Sequence, residues 1–406
     1  MAVSEKTAYR RGKWKRRILQ IIRTEASPSR MVVKKQSGLS MDTTLSLVEE
    51  LLTEGLIEEV GMEESIHAGR KATLLRVNPE GAYFIGVRFS ASGLSAVCTD
   101  LLLETVAHVE WDFDSTPGKA EVLQGIDAAI DQLKEQLGNK VSRLRGIGIG
   151  APGVINPETG VVERYVHIPD WQPFPLGEEL GRRYGVPVWV EHGVKCTARE
   201  LAERDGSRNL MLLQISRGLN LCMVSDGVVL GGSSYLSGEI GHVYVRGWDA
   251  PCTCGRRGCL ETLVSNDALR REVLENLEAY PEIQALDKPL QIRDLCEAAN
   301  EGSPSCRELL SRAGSALGEV LSGAVALLNP GELVLSGRLC RAEAFCQAVS
   351  RELNDHCLME SLRGLKVEFR DSDRLLDAAG AARLPYQRLY GEETDPRKHT
   401  LENERG

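Results

Sequence analysis

One histidine and three cysteines stand close together in the second half of this 406-residue chain: His242, Cys252, Cys254 and Cys259, within the run GEIGHVYVRGWDAPCTCGRRGCLE from Gly238 to Glu261. Three thiolates and one imidazole complete a tetrahedral zinc shell with no open position, which argues for a structural metal rather than a catalytic one. Gly255 and Gly258 lie between the cysteines and let a short loop fold back on itself. The alternative, three buried or free thiols that happen to cluster, leaves the tight Cys-X-Cys-Gly-X-X-Gly-Cys spacing unexplained. Two carboxylates flank the ligands, Glu239 before and Glu261 after. A rigid loop that fixes two acids beside an imidazole suits the hydroxyls of a polyol.

The rest of the chain must position that loop. Its length calls for two or three domains, and 42% hydrophobic residues suffice for well-filled cores. No run of about 18 apolar residues occurs, so no membrane span is expected, and the N-terminus lacks the apolar stretch of a secretory signal. Eleven cysteines, mostly scattered singly, fit a reducing cytoplasm better than a disulfide scaffold. The net charge of −9 is unevenly spread. Residues 1–35 hold eleven Lys/Arg against two Glu, so they carry +9 and the remaining 371 residues carry −18. An acidic body with a basic head implies that only the head meets a polyanion.

Residues 1–12 are expected to be a disordered basic tail. From Lys13 the spacing of Trp14, Ile18, Leu19, Ile21 and Ile22 predicts a helix. Arg30–Gln36 reads as a short second helix, Ser37-Gly38-Leu39 as a tight turn, and Ser40 as the cap of a third helix running to Glu54, with Leu45, Val48, Leu51 and Leu52 facing inward. Two strands follow, Leu56–Val60 and Lys71–Val77, joined by a polar loop. Residues 13–79 thus read as a winged helix-turn-helix that binds double-stranded operator DNA. Arg30, Lys34 and Lys35 are placed to hold phosphates, Ser40, Thr43 and Thr44 to bond bases or phosphates from the third helix, and Arg70 and Lys71 to act at the wing.

Beyond residue 80 the pattern becomes α/β. Paired strands at Tyr83–Val87 and Gly93–Cys98, continued by Thr105–Trp111, precede a helix at Glu121–Leu137. Buried strands follow at Gly146–Gly150 and Val186–Glu191, and helices at Leu176–Tyr184 and Thr197–Asp205. A second strand cluster, Asn209–Ile215 and Asn220–Ser225, leads into the metal loop and a helical stretch to about Leu328. Strands at Leu333–Gly337 and Leu365–Phe369, with helices at Ala342–Asn354 and Leu376–Leu384, complete residues 80–390, and a charged tail occupies 391–406. Strand clusters followed by helices, twice over, imply two similar lobes.

The runs GIGIGAPGVINPETGVV, IPDW, VPVWVEH, GEIGH and CTCGRRGCLE, in that order, resemble the ROK family of repressors, open reading frames and sugar kinases. The resemblance spans about residues 82–385, and the added head makes the whole chain similar to the repressor branch that answers to xylose, glucose or N-acetylglucosamine. It implies a two-lobed sugar kinase/actin-like body around a ligand cleft. It also implies sugar contacts at Gly153, Glu239, His242 and Glu261, with His167 and His192 standing where the family has asparagines. Family kinases carry Asp-X-Gly-Gly-Thr after the first strand, and this chain has Arg88-Phe89-Ser90-Ala91-Ser92. The family's catalytic aspartate is replaced by Gly193, which cannot take a proton, and the second phosphate loop, Ile215–Asn220, keeps one glycine. These departures imply a non-catalytic sensor.

Taken together, the expectation is a cytoplasmic homodimeric or homotetrameric DNA-binding transcriptional regulator, in the sense of a repressor, of carbohydrate metabolism genes. It would hold structural zinc and answer to a sugar or sugar phosphate through cleft closure. Two alternatives stay open: an active ATP-dependent sugar kinase with a regulatory head, and a regulator whose effector is a protein.

Overall fold

Helix α1 (Ala2–Thr24) opens the chain in a computed structural model that describes residues 2–25, 27–62, 72–113, 115–168 and 171–391. The helix therefore reaches well into the segment expected to be disordered. Helices α2 (Arg30–Ser37) and α3 (Met41–Thr53) follow, separated by a turn in which Gly38 takes φ +71° and Ser40 caps α3 by accepting the Thr43 N–H. Left-handed backbone is where glycine costs least, so this turn is set by sequence. Strands β1 (Ile57–Met62) and β2 (Thr73–Val77) pair antiparallel as a wing. The wing tip, with Arg70 and Lys71, lies outside the described residues.

Along α3 the inward face is Thr44, Leu47, Val48 and Leu51. Leu45 is 40% exposed, so its expected inward position is corrected. The helical stripe takes i, i+3, i+4 and i+7 from Thr44, and that phase puts Leu45 outside.

The chain forms two compact units, residues 1–196 with 374–406, and residues 197–373. In the first, β3 (Tyr83–Phe89), β4 (Gly93–Thr99), β5 (Thr105–Asp112), α4 (Lys119–Leu137), β6 (Leu144–Ala151), the small hairpin β7 (Val154–Asn156) and β8 (Val161–Arg164), α5 (Leu176–Tyr184), β9 (Val188–His192) and α6 (Gly193–Asp205) follow in order. The sheet order is β5-β4-β3-β6-β9. Strand β4 runs antiparallel to both β3 and β5, and β6 and β9 are added parallel to β3. Val122, Ile126, Ile130 and Leu133 of α4 are buried against this sheet, as their spacing predicts. Helix α6 begins directly after β9, four residues ahead of its predicted start, so His192 and Gly193 form a strand-to-helix junction.

The second unit repeats the plan. Strands β10 (Leu210–Ile215), β11 (Leu219–Ser225) and β12 (Val228–Val229) precede the metal loop. Helices α7 (Glu261–Val264), α8 (Asn266–Glu275), α9 (Pro281–Gln284), α10 (Ile292–Glu301) and α11 (Pro304–Leu328) come next. Strand β13 (Glu332–Ser336), helices α12 (Glu343–His356) and α13 (Met359–Gly364) and strand β14 (Lys366–Arg370) close it. The order β12-β11-β10-β13-β14, antiparallel through β10 and parallel beyond, matches the first sheet position for position. Two lobes of one topology confirm the two-lobed actin-like expectation.

The last helix, α14 (Arg374–Tyr390), returns to the first unit and runs through Pro385. The predicted stop at Leu384 is therefore corrected. Proline lacks the N–H that a helix interior uses, and here its ring packs over bare backbone. A Cβ added at Gly146 would lie 2.7 Å from Pro385 Cβ. One added at Gly148 would lie 1.8 Å from the Ala381 oxygen, and one at Gly86 would lie 2.1 Å from the Ala378 oxygen. The glycines of β3 and β6 are thus a seat for α14. The same helix enters the head: Tyr386, Ala378 and Ala382 share a buried cluster with Ile18, Leu19, Ile22, Leu47 and Leu51. The Tyr386 hydroxyl accepts from Gln20 Nε2 at 2.7 Å and from Arg23 Nη1 at 2.6 Å.

Gly148→Ala should cost about 3 kcal/mol of unfolding free energy, because the backbone of α14 cannot give way as a flexible side chain would. Urea unfolding measures it, and an unchanged midpoint would mean that α14 tolerates displacement.

Candidate metal centre and ligand site

The metal loop is built by short-range hydrogen bonds. The Cys252 N–H donates to the Arg256 oxygen at 2.8 Å, and the Gly255 N–H to the Cys252 oxygen at 3.0 Å. The Val245 N–H donates to the Gly258 oxygen at 2.8 Å, and that of Leu260 to the Val243 oxygen at 2.9 Å. Gly258 has φ +74°, and a Cβ there would meet the Trp248 oxygen at 2.5 Å. Arg257 clamps Asp249 with two bonds of 2.9 Å, and Trp248 Nε1 donates to Thr262 Oγ1 at 2.9 Å. These contacts bring one ligand atom each of His242, Cys252, Cys254 and Cys259 within 4.8 Å of one another.

The set fits a tetrahedral metal. Cys254 Sγ and Cys259 Sγ are 3.7 Å apart and unbridged, and Cys252 Sγ is 3.7 Å from His242 Nδ1. Thiolates at a Zn–S distance of about 2.3 Å would stand about 3.8 Å apart along a tetrahedron edge. The Arg256 backbone N–H, against desolvation and with help from its guanidinium, brings the Cys254 thiol down to about 6. Burial pushes the Cys252 thiol upward, and the thiol donates to Glu261 Oε1 at 3.0 Å. The imidazole is directional: Nδ1 faces Cys252 and also Glu261 Oε1 at 3.6 Å, while Nε2 faces Glu239 Oε2 at 3.7 Å. A metal on Nδ1 would leave Nε2 and the two carboxylates as a polar trio suited to sugar hydroxyls. Glu239, His242 and Glu261 are therefore brought together, as expected.

The other predicted ligand residues lie in the first unit. Gly153 has φ +83°, and a Cβ there would strike the Arg164 oxygen at 2.1 Å, so glycine is required by the β7–β8 hairpin itself. His167 sits edge-on to Tyr165, with ring centroids 5.6 Å apart. His192 closes β9, and its backbone N–H donates to Glu191 Oε1 at 2.9 Å. Burial, then the charges of Arg88 and Lys195, pushes the His192 imidazole down to about 3. Arg88, next to the last residue of β3, lies across Gly193: a Cβ on that glycine would be 2.4 Å from Nε. The turn after β3 is a tight hairpin closed by the Ser90 N–H to the Gly93 oxygen at 2.9 Å. Phe89 stacks on Trp171 at 5.9 Å, and the Ala91 N–H donates to the Tyr165 hydroxyl at 3.1 Å. In the second unit the β10–β11 turn is braced by Arg217 Nε on Asp267 at 2.9 Å.

In the head, Thr44 is fully buried and its hydroxyl donates to the Ser40 oxygen at 2.9 Å. It is withdrawn as a DNA contact, because the phase of α3 turns it into the core. Ser40 and Thr43 bond each other at 2.8 Å at the accessible start of α3. Arg30 pairs with Glu59 at 2.6 Å, Arg11 pairs with Glu50 of α3, and Lys15 pairs with Glu54 just after it. Part of the basic character is thus spent inside the head. Lys34 and Lys35, at the end of α2, have no ion-pair partner among the described residues.

Residues 84–385 match the ROK family. The chain belongs to the ROK family. Among its relatives, the DNA-binding transcriptional repressor Mlc of Escherichia coli K12 is 28% identical over 87% of this chain and 88% of its own. A glucokinase of Halalkalibacterium halodurans is 30% identical over 64% of this chain and 81% of its own. A crystal structure of a ROK family transcriptional regulator, described as a homologue of E. coli Mlc, superposes with a TM-score of 0.81. It shares 26% identity and covers 94% of this chain and 97% of that one. The match spans the head as well as the ROK body. No helix among the described residues is long and apolar enough to cross a membrane.

Sequence reading treated the ROK kinase positions one at a time and missed that Arg88 and Gly193 are one feature. The available signal was their coincidence: a long cation at residue 88 and, at residue 193, the one residue type that leaves it room.

A histidine held at about 3 rather than its ordinary 6.5 stays neutral when folded. Below about pH 6.5 the unfolded chain binds a proton that the native chain refuses, so stability falls as pH drops from 6.5 toward 3. The slope reaches about 1.4 kcal/mol per pH unit. His192→Gln should flatten the stability–pH curve by up to that slope relative to the parent, as measured by urea titrations between pH 7 and 5.

Proposed function

We propose that this ROK protein is a DNA-binding transcriptional regulator of carbohydrate metabolism genes, acting as a repressor, with a body that senses a carbohydrate and does not phosphorylate it. The observation that carries the reading is Gly193 at the position of the family's catalytic base, covered by the Arg88 side chain. No carboxylate can reach a sugar hydroxyl from a glycine. The two turns that hold phosphate in family kinases are here a Ser-Ala-Ser hairpin packed by side chains and a turn braced by an ion pair. The likeness to Mlc over the whole length supports the regulatory reading.

The functional parts then follow. Lys34 and Lys35, with Arg30, hold operator phosphates, and Ser40 and Thr43 meet the groove from the start of α3. Zinc held by His242, Cys252, Cys254 and Cys259 fixes the loop that aims Glu239, His242 and Glu261 at sugar hydroxyls. Its part is to fix that loop. The regulator works as a homodimer, because helix-turn-helix proteins read paired half-sites. A sugar shifts DNA affinity only through its different affinity for the two states of the protein.

Fluorescence anisotropy on the chain's own upstream DNA tests this. Binding should weaken linearly in log–log salt titrations, and Lys34→Ala with Lys35→Ala should reduce the slope by roughly two, one per lost phosphate contact. Failure of the full-length protein to bind DNA at low salt would sink the proposal. A second reading, an ATP-dependent sugar kinase, is favoured by the likeness to a glucokinase. ADP release over a hexose panel should stay at background, and turnover abolished by His192→Gln would establish the rival.

Cys254→Ser should release zinc from the full-length protein, measured by metal analysis after gel filtration, and should abolish the response of DNA binding to sugar while leaving DNA binding itself in place. A variant that kept both zinc and the sugar response would remove the structural role assigned to the loop.

A further inference from the structure

Strand β5 is the sheet edge left long and uncovered among the described residues. Of the other three edges, β12 is two residues long, and β14 carries Lys366, Glu368 and Arg370 joined in ion pairs. Strand β9 has α5 and the β7–β8 hairpin against it. Sheets shorten, charge or cover their edges because a bare edge pairs with another chain. Strand β5 runs for eight residues without proline or lysine. Its even-numbered side chains, Val106, His108, Glu110 and Asp112, are exposed. On the other face Val109 is buried over α4, with Ala107 and Trp111 half-buried beside it.

The hydrogen-bond phase of β5 is fixed at its end. The Phe113 N–H donates to the Ser92 oxygen at 3.1 Å, continuing a register in which Trp111 faces Leu94 and Val109 faces Ala96. Bonded and non-bonded pairs alternate along an antiparallel ladder, so Trp111 and Val109 bond to β4. The N–H and C=O groups of His108 and Glu110 therefore point away from the sheet. Their side chains have opposite charge character, lie two residues apart on one face, and have no partner among the described residues. Such a pair is self-complementary. In an antiparallel pairing about a two-fold axis through Val109, His108 of each copy stands opposite Glu110 of the other. A register shifted by two sets His108 against His108 or Glu110 against Glu110, and a shift by one breaks the hydrogen-bond phase. In the matching register Ala107 lies opposite Trp111, small against large. Val106 lies opposite Asp112, whose carboxylate Arg374 already holds.

We propose that a second copy of this chain adds to β5, antiparallel and in this register, joining two five-stranded sheets into one of ten strands. Helix α4 packs across β3, β4 and β5 and so is centred on β4. With strands about 4.8 Å apart, the two copies of α4 lie about 14 Å from each other. That is wider than the roughly 8–10 Å of packed helices, so they clear one another. The head shares a compact unit with β5, and Leu101, Leu102 and Leu103, in the turn that leads into β5, pack in the core of the head. The axis that pairs the strands thus pairs the two heads. This consequence for DNA rests on the regulator reading above, and the strand pair itself does not.

Sedimentation velocity of the full-length protein over a concentration series tests it, with circular dichroism to confirm that each variant folds. His108→Glu sets like charges opposite each other, and Glu110→Lys removes the acid that His108 faces. Each should weaken association about tenfold, because every change acts twice across the axis. His108→Glu combined with Glu110→Lys restores opposite charges and should return association to within about threefold of the parent. His108→Pro removes an outward N–H and no bond to β4, and should abolish this association step. A parent that does not associate, a mass indifferent to all the variants, or a double variant no better than the singles overturns the strand pair. If the chain binds no DNA while the charge series moves its mass as stated, the strand pair stands and the regulator reading falls. DNA binding by a dimer whose mass ignores the series leaves the regulator reading standing while the strand pair falls.

Discussion

Helix α14 lies directly against β3 and β6, where the carbonyl oxygens of Ala378 and Ala381 occupy the space that a Cβ on residue 86 or 148 would need. Much else depends on that contact. It sets the depth at which α14 lies on the sheet, and the helix then places Tyr386 among Ile18, Ile22 and Leu47 of the head. Phe84 and Val97 of the sheet share the same cluster. The head is therefore not a bead on a string. Cutting the chain near residue 79 would strip apolar partners from both sides and leave Gln20 and Arg23 without the Tyr386 hydroxyl. At about 25 cal/mol per Å² of apolar surface, exposing several such side chains is comparable with the whole stability of a small domain.

That arrangement also bears on how the head is joined to the rest of the chain. The chain leaves the first unit between Cys196 and Thr197, within α6, and returns at Arg374, where α14 begins. Both connections are helical on at least one side. A helix transmits displacement along its axis because its hydrogen-bonded ladder does not stretch. Helix α14 ends in the head core, with Arg23 over the Tyr386 ring at 5.0 Å. The route from the second unit to α1 is thus one helix long.

What could be read in the sequence follows from how local each feature is. The metal loop was legible because its ligands are close in sequence and its geometry is set by glycines within a few residues. The two-lobed α/β plan was legible because strand and helix periods differ, and Val122, Ile126, Ile130 and Leu133 fell on one face as spaced. Features set by distant partners were not. The α3 stripe was misphased at Leu45 and Thr44 because two apolar phases fit a short helix, and only packing against α1 chooses between them. The end of α14 was misplaced at Leu384 because proline normally stops a helix, while here Gly146 and Gly148 give its ring a bed. The glycines of GIGIG read as part of a buried strand, and the helix that packs on them lies more than 200 residues away in sequence. The length of α1 was hidden because its basic first turns have no apolar stripe of their own.

The kinase-type fold constrains what the departures at 88 and 193 can mean. An arginine exchanged for an aspartate at a strand end would ordinarily swing into solvent, where its charge is hydrated at no cost. Here it is folded back over bare backbone, with Gly150 and Gly193 both lacking the atom that would exclude it. Holding Arg88 there with an orphaned Nε is unfavourable by itself.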